Sequence, residues 1–259
     1  MAPDVDVYVD FACELANIAG GVIRPWFRQP IPVDTKADRS PVTVADRGVE
    51  TALRGAIQDR FPDHGIIGEE FGATNGGAEW VWHLDPIDGT KSFITGSPLF
   101  ATLIALTRNG IPVLGVIDQP ILRERWVGVD GRPSTMNGRM IRTRACAGVD
   151  SAVFYSWGPE CYDGENGDNM RRLAERTALR RYSADAYAFG LLALGLVDIC
   201  CEDGLKPHDY LALAPVVNGA GGRITDWQGN AIRYGVGAQT IATGDPALHD
   251  KALELLAGA

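Results

Sequence analysis

The chain has 259 residues, of which 46% are hydrophobic and 22% charged, with a formal net charge of −9. That length can bury a substantial core as one large domain or two lobes, and the composition is that of an ordinary globular protein with no tendency to disorder. The acidic balance argues against non-specific binding to nucleic acid or an anionic membrane, both of which need a basic face.

No apolar run approaches the roughly 18 residues of a membrane helix. The opening Met-Ala-Pro-Asp-Val-Asp lacks the basic region of a signal peptide, so secretion is not expected. Cys13, Cys146, Cys161, Cys200 and Cys201 are odd in number, contain no Cys-x-x-Cys and include an adjacent pair that cannot readily bridge. They predict reduced thiols, most of them buried, in a cytoplasmic protein. The four scattered histidines offer no zinc pattern.

Over residues 5–27, Val5, Val9, Ala12, Ala16, Ala19, Ile23 and Phe27 recur at helical spacing and predict one long amphipathic scaffold helix, interrupted near Pro25. Residues 29–40 are too polar for core. A helix over 46–60 follows a Thr-x-x-Asp turn, in which Asp46 would act as a capping acid worth about 0.3–1 kcal/mol. Phe61-Pro62-Asp63-His64-Gly65 then turns into a short β-branched strand that ends in Gly68-Glu69-Glu70.

An apolar run over 80–84 ends in Asp85 and Asp88, with Pro86 between them and Gly89 and Thr90 directly after. Two carboxylates that close repel each other and cost several kcal/mol to bury unpartnered, so a hard cation is the obvious compensation. The plain alternative is a Pro-Asp-Gly type of turn with solvated acids. Gly89 lets the backbone approach a ligand, and Thr90 adds a hydroxyl and an N–H. Further on, Lys206-Pro207-His208-Asp209-Tyr210 places Asp209 at the front of an apolar helical stretch. Three apolar segments thus end beside acids, and they could converge on one cleft.

Residues 99–107 and 112–119 predict a hairpin closed by Arg108-Asn109-Gly110. A strand over 124–129 and a turn-rich excursion over 131–140 complete an antiparallel first lobe. Beyond it, strands at 151–156, 179–182, 197–202, near 224 and at 240–243 alternate with helices at 169–177, 186–195, 210–218 and 246–256. That rhythm predicts a βαβ-rich second lobe, with the lobes at 1–146 and 147–259.

Four ordered motifs span nearly the whole chain: Val42-Thr43-Val44-Ala45-Asp46, Gly68-Glu69-Glu70, Asp85-Pro86-Ile87-Asp88-Gly89-Thr90, and His208-Asp209 with Gly219-Ala220-Gly221-Gly222. Together they resemble the inositol monophosphatase family of metal-dependent phosphatases. The resemblance implies a layered α/β sandwich with the site between its lobes. It implies that Glu69, Asp85, Asp88, Asp209 and the backbone carbonyl of Ile87 hold two or three Mg²⁺ ions, a cation suited to all-oxygen ligation. It further implies that Asp46 and Thr90 activate a water for direct attack on a small phosphate ester, while backbone N–H groups of Gly89 and Thr90 hold the phosphate. Lys36 becomes a candidate site residue on a mobile loop, although a solvated lysine is the commoner case. Glu70 is either a neighbouring acid or a charged loop residue. A homodimer is the family's habit. No Gly-x-Ser-x-Gly is present to support serine catalysis, and His83 reads as a packed strand residue.

Thr90-Lys91-Ser92-Phe93, Ile117-Asp118-Gln119-Pro120, Glu124-Arg125-Trp126 and residues 183–190 are most similar to the family's histidinol-phosphate phosphatase branch. That branch implies release of histidinol in histidine biosynthesis. Inositol phosphate, another sugar or polyol phosphate, and a nucleotide 3′-phosphate are the alternatives, and a non-catalytic metal-binding regulator is the reading from another class. Asp185 and Glu202 are the acids expected near the substrate's ammonium and imidazole. Their plain roles would be a helix N-cap for Asp185 and a solvated strand end for Glu202.

Overall fold

Apolar spacing sets the first helix. In α1 (Val5–Ile23), Tyr8, Phe11, Ala12, Leu15, Ala16, Ala19 and Ile23 all turn inward. Pro25, which has no N–H to continue the ladder, stands in a single 3₁₀ turn (Arg24–Trp26), so the helix stops short of Phe27. The computed structural model describes residues 5–36, 40–158 and 163–258. Strands β1 (Val33–Thr35) and β2 (Pro41–Thr43) form a small antiparallel pair. Helix α2 (Val44–Arg60) begins two residues before the expected start. Its N-cap is Thr43, whose hydroxyl accepts from Ala45 N, and Asp46 is the N3 member of a capping box.

The first sheet has eight strands: β3 (Gly65–Gly68), β4 (Gly72–Thr74), β5 (Trp80–Asp88), β6 (Ala101–Arg108), β7 (Ile111–Gln119), β8 (Glu124–Val129), β9 (Thr135–Met136) and β10 (Arg139–Met140), in the order β10-β9-β8-β7-β6-β5-β3-β4. Every pairing is antiparallel except β3 with β5, which are parallel. The β6–β7 hairpin turns at Asn109 (φ 50°) and Gly110 (φ 79°), the positive dihedrals of a type I′ turn. The same pair, Asn137 (φ 49°) and Gly138 (φ 75°), closes a second hairpin, so the 131–140 excursion contains β9 and β10 rather than turns alone.

The second sheet runs β12-β11-β13-β15-β14, from β11 (Val153–Ser156), β12 (Leu179–Tyr182), β13 (Ile199–Asp203), β14 (Arg223–Asp226) and β15 (Gln239–Thr243). β11 is parallel to both β12 and β13, as βαβ units require, whereas β13–β15 and β14–β15 are antiparallel. Its helices are α4 (Gly164–Glu175), α5 (Asp185–Ala193), α6 (Pro207–Tyr210), α7 (Leu213–Gly219) and α8 (Pro246–Ala257), with the one-turn α3 (Thr90–Ile94) in the first half. The single helix expected over 210–218 is thus two pieces.

The layers alternate helix, sheet, helix, sheet, helix. α1 and α2 bury Leu15 and Leu53 against Trp82, Leu84 and Ile104 on one face of the first sheet. Its other face meets α5 and α7 in a core that includes Trp126, Phe189, Val216 and Cys200. α4 and α8 cover the outer face of the second sheet around Met170, Leu173, Phe154, Cys201 and Leu256. Cys200 and Cys201 therefore face opposite sides of β13, as strand alternation dictates. Close layering explains Gly115 and Gly128, where a β-carbon would overlap the backbone of Ala212 and Pro215. This is the layered α/β sandwich the motifs imply.

Among the described cysteines Cys13, Cys146, Cys200 and Cys201 are free, but only the last two are buried, so the expectation that most are core residues does not hold for them. Cys161 lies outside the described residues. Among those described, no helix is long and apolar enough to cross a membrane.

Candidate active site

The apolar run over 80–84 does not end the strand. β5 continues through Asp88 with a register shift between Asp85 and Asp88. Pro86, lacking a donor, stands inside that irregularity, where a missing ladder bond costs least. The bulge is fixed by bonds to backbone: Ile87 N donates to Asp85 Oδ1 (3.0 Å), and Thr102 Oγ1 donates to Pro86 O (2.8 Å). Gly89 then takes φ 86° and caps α3. A β-carbon there would sit 2.8 Å from Asp185 Oδ2 and 3.1 Å from Leu99 O, so glycine is required by both dihedral and space.

The other acidic segments close on this bulge. Glu69 leaves the end of β3, with its N–H on Leu84 O at 3.1 Å. Asp209 is the third residue of α6 and its Oδ2 accepts Lys206 N at 2.7 Å. Among the described residues, Asp85, Asp88 and Asp209 each offer one oxygen within 4.8 Å of the others. Lys36 Nζ lies 2.7 Å from Glu69 Oε1 and 2.6 Å from Glu70 Oε1, so both lysine and Glu70 belong to the cluster rather than to solvent.

Charge in this cluster is uncompensated by side chains alone. Burial, then repulsion from Glu69, Asp88 and Asp209, pushes the Asp85 carboxyl well above its usual range. Burial and the neighbouring Asp185 and Asp209 do the same to Asp88. Burial raises Asp209 as well, although His208 partly opposes it. Burial also acts to raise Glu69, but Lys36 outweighs it and the net shift is downward. Asp85 and Glu69 interact directly, and the interaction raises Asp85 and lowers Glu69. Desolvated carboxylates offering hard oxygen donors, with the His208 imidazole 3.4 Å from Asp209, fit a divalent cation of the Mg²⁺ type.

Beside the cluster are two adjoining cavities. One of about 210 Å³ is lined by Asp85, Asp88, Gly89, Thr90, Lys91 and Trp157. The other, about 340 Å³, is lined by Asp185, Glu202, Trp157, Phe189, Leu205 and Leu213. Asp185 opens α5 at φ 46° just after Ser183 at φ 64°, two left-handed non-glycine residues in one turn. Such backbone costs roughly 1–3 kcal/mol per residue and persists where surrounding structure imposes it. Here Asp88 Oδ2 accepts Ala186 N at 2.6 Å, clamping the start of α5 onto the acid cluster. Asp185 is not the N-cap: Ala184 is, and it offers no side-chain capping bond. Burial lifts its pKa to about 6, despite the nearby Lys91. Glu202 is 4% exposed rather than solvated, and its pKa is pushed well above normal by burial and by Asp185.

The expected Asp46–Thr90 pair is not joined directly. The Asp46 carboxylate accepts from Thr43 N (2.8 Å) and Thr43 Oγ1 (2.5 Å), while Thr90 Oγ1 donates to Ile87 O (3.1 Å). The capping box competes for the acid, and the bulge carbonyl competes for the hydroxyl. His83 is packed as expected, 1% exposed, with Nε2 on Thr107 Oγ1 at 3.0 Å, and burial lowers its pKa to about 3.

Trp157 was not foreseen. Its ring lies 4.6 Å under Lys91 Nζ, its backbone bonds Glu202, and it lines both cavities. A lone tryptophan in a Ser-Trp-Gly turn carries no local signal of such a role. The branch-like phrases, by contrast, are mostly scaffold. Arg125 pairs with Asp118 (2.6 Å), Tyr187 donates to Glu124 (2.7 Å), and Trp126 packs edge-on against Tyr187 and beside Gly190. They hold α5, and through it Asp185, at its angle.

Comparison with known proteins agrees with this geometry. A model of the inositol monophosphatase family matches residues 4–258. The bifunctional phosphatase IMPL2, chloroplastic, of Arabidopsis thaliana is 44% identical, covering 98% of this chain and 76% of that protein. The histidinol-phosphatase of Mycobacterium tuberculosis is 34% identical over 95% of this chain and 94% of its own. An inositol monophosphatase from Zymomonas mobilis superposes with a TM-score of 0.90 at 42% identity, covering 98% of each chain. The chain belongs to the inositol monophosphatase family of phosphatases.

Proposed function

We propose that this protein is a Mg²⁺-dependent phosphomonoesterase that hydrolyses histidinol phosphate to histidinol and phosphate in histidine biosynthesis. The observation that carries the substrate is the pair of buried acids, Asp185 and Glu202, beside the Trp157 ring at the edge of the acidic cluster. An ammonium and an imidazole in the leaving alcohol would supply the donors and positive charge these acids lack. Relatives named histidinol-phosphatase support the same choice.

Glu69, Asp85, Asp88, Asp209 and the Ile87 carbonyl would hold the metal, two or three ions in the full reading. When bound, Mg²⁺ supplies Lewis-acid polarisation of the phosphoryl group and a more acidic water. The chain's own residues do the rest. Gly89 and Thr90 N–H groups orient the phosphate. Thr90 turns its hydroxyl from Ile87 O towards Asp46, which frees the carbonyl as a ligand and lets Thr90 Oγ1 accept from the attacking water. Asp46, whose pKa burial raises despite its bonds to Thr43, takes up the proton. Residues 1–146 supply most ligands and 147–259 close the site. A homodimer and a cytoplasmic location complete the reading.

Inositol 1-phosphate is the second candidate, favoured by the Zymomonas mobilis likeness. Phosphate release from the two esters, compared as kcat/KM with Mg²⁺, separates them. A preference of about a hundredfold for histidinol phosphate, or about 2.7 kcal/mol in the transition state, is expected. Preference for inositol 1-phosphate overturns the substrate; release from neither overturns both esters and turns the reading first to a nucleotide 3′-phosphate, then to a metal-binding regulator.

A further inference from the structure

Glu50 sits on the inner face of α2 with its side chain wholly buried. A carboxylate placed among Val49, Leu53 and Ile57 is costly unless its lone pairs are matched. They are matched by one loop. Oε2 accepts Glu70 N at 2.7 Å and Oε1 accepts Phe71 N at 3.1 Å. Oε1 also accepts Arg54 Nε at 2.7 Å, one helical turn along. Arg54 in turn donates to Thr74 Oγ1 (3.2 Å) and to Gly72 O. The pair therefore grips the last two residues of the three-residue loop that joins β3 to β4, together with β4 itself.

That loop starts with Glu69. Its N–H is tied to Leu84 O on β5, and Gly68 pairs with Leu84, so Glu69 emerges beside Asp85. Gly68 has no left-handed dihedral to explain it, but a β-carbon there would overlap the Glu50 carboxylate. Glycine is what lets Glu50 reach the loop amides. We infer that Glu50, braced by Arg54, is a positioning residue that sets how Glu69 is presented to the metal cluster. The inference rests on the metal ligation proposed above.

The test is Mn²⁺ titration of the whole chain by calorimetry, with thermal melting alongside. Glu69→Gln first checks the metal reading: binding equal to wild type there sinks that reading itself. Given a loss in Glu69→Gln, Glu50→Gln should weaken Mn²⁺ binding about tenfold or more, as loss of a ligand-orienting partner does. Val49→Ala, which loosens the same helix through its apolar face, should lower the melting temperature and leave the Mn²⁺ affinity unchanged. Unaltered affinity in Glu50→Gln, or an equal loss in Val49→Ala, overturns the positioning role. Should Glu50→Gln not fold, Arg54→Lys takes its place, since a lysine cannot hold Glu50, Gly72 and Thr74 together. The same weakening is expected there, and wild-type affinity rejects the inference.

Discussion

The β5 bulge and the start of α5 face each other across the same cavities, yet they are built in opposite ways. The bulge presents Asp85 and Asp88 from the middle of an eight-stranded sheet, with Ile87 N and Thr102 Oγ1 holding its shape. The α5 side presents Asp185 from a turn in which Ser183 and Asp185 are both left-handed, and Glu202 from a strand of the other sheet. Lys91 is the cation that acts on Asp185, and it is shared with the Trp157 ring. One side is a rigid anchor shaped by backbone hydrogen bonds. The other is held in place by tertiary packing, and burial raises the pKa of both its acids. Under the proposed function this contrast becomes a division of labour: chemistry on the rigid side, and choice of substrate on the strained side.

Substitution on the rigid side should be the more damaging. Asp88→Asn removes a ligand charge but leaves an oxygen to accept Ala186 N, so kcat should fall by orders of magnitude while far-UV circular dichroism is unchanged. Normal phosphate release in that variant would refute the assigned site. Thr90→Ala should lower kcat by about 10²–10⁴-fold with little change in KM, the range for loss of assisted proton transfer. A change confined to KM removes its assigned role.

On the strained side, Glu202→Gln should raise KM for histidinol phosphate by about tenfold, corresponding to about 1.4 kcal/mol for a charge-assisted bond. Inositol 1-phosphate, which carries no cation, should be affected less. If both substrates weaken equally, the two sides do not divide as described. The smallest effect concerns pH. Asp185, Asp85, Asp88 and Glu202 all have raised pKa values when folded, Asp185 at about 6. Unfolded, they lose protons near pH 4. Folding is therefore favoured by these groups below about pH 4, and that advantage is lost as pH rises through about 6 and beyond. The metal-free protein should melt lower at pH 7.5 than at pH 5.5 as far as these acids govern, and Mg²⁺ should raise the melting temperature more at the higher pH. Melting curves in chelator and in Mg²⁺ check both signs.

Much of this arrangement can be read directly from the chain. Asn109-Gly110 specifies its hairpin because two positive dihedrals leave few other turns open. The α1 face follows from spacing alone, and Asp85, Asp88 and Thr90 lie close in the chain, so their proximity needs no fold. Asn137-Gly138 carries the same signal as the first hairpin, but its strands are too short to show alternation. The continuation of β5 past Leu84 was hidden by Pro86, which argues for a turn until the bulge around it is seen.

Local order thus determined the kind of site: a hard-cation acid cluster beside a glycine turn, in a protein of alternating sheets and helices. What required the folded chain was every relation between distant segments. Glu50 looks like one more charged helix residue until Gly68 brings the loop onto it. Trp157 has no neighbours in sequence to suggest Lys91 or Glu202 as partners. Asp46 and Thr90 are engaged with Thr43 and Ile87, each within its own turn, rather than with each other. Periodicity and turn chemistry are short-range and survive in the sequence, whereas burial and electrostatic coupling depend on which surfaces meet, and that is set only when the layers pack.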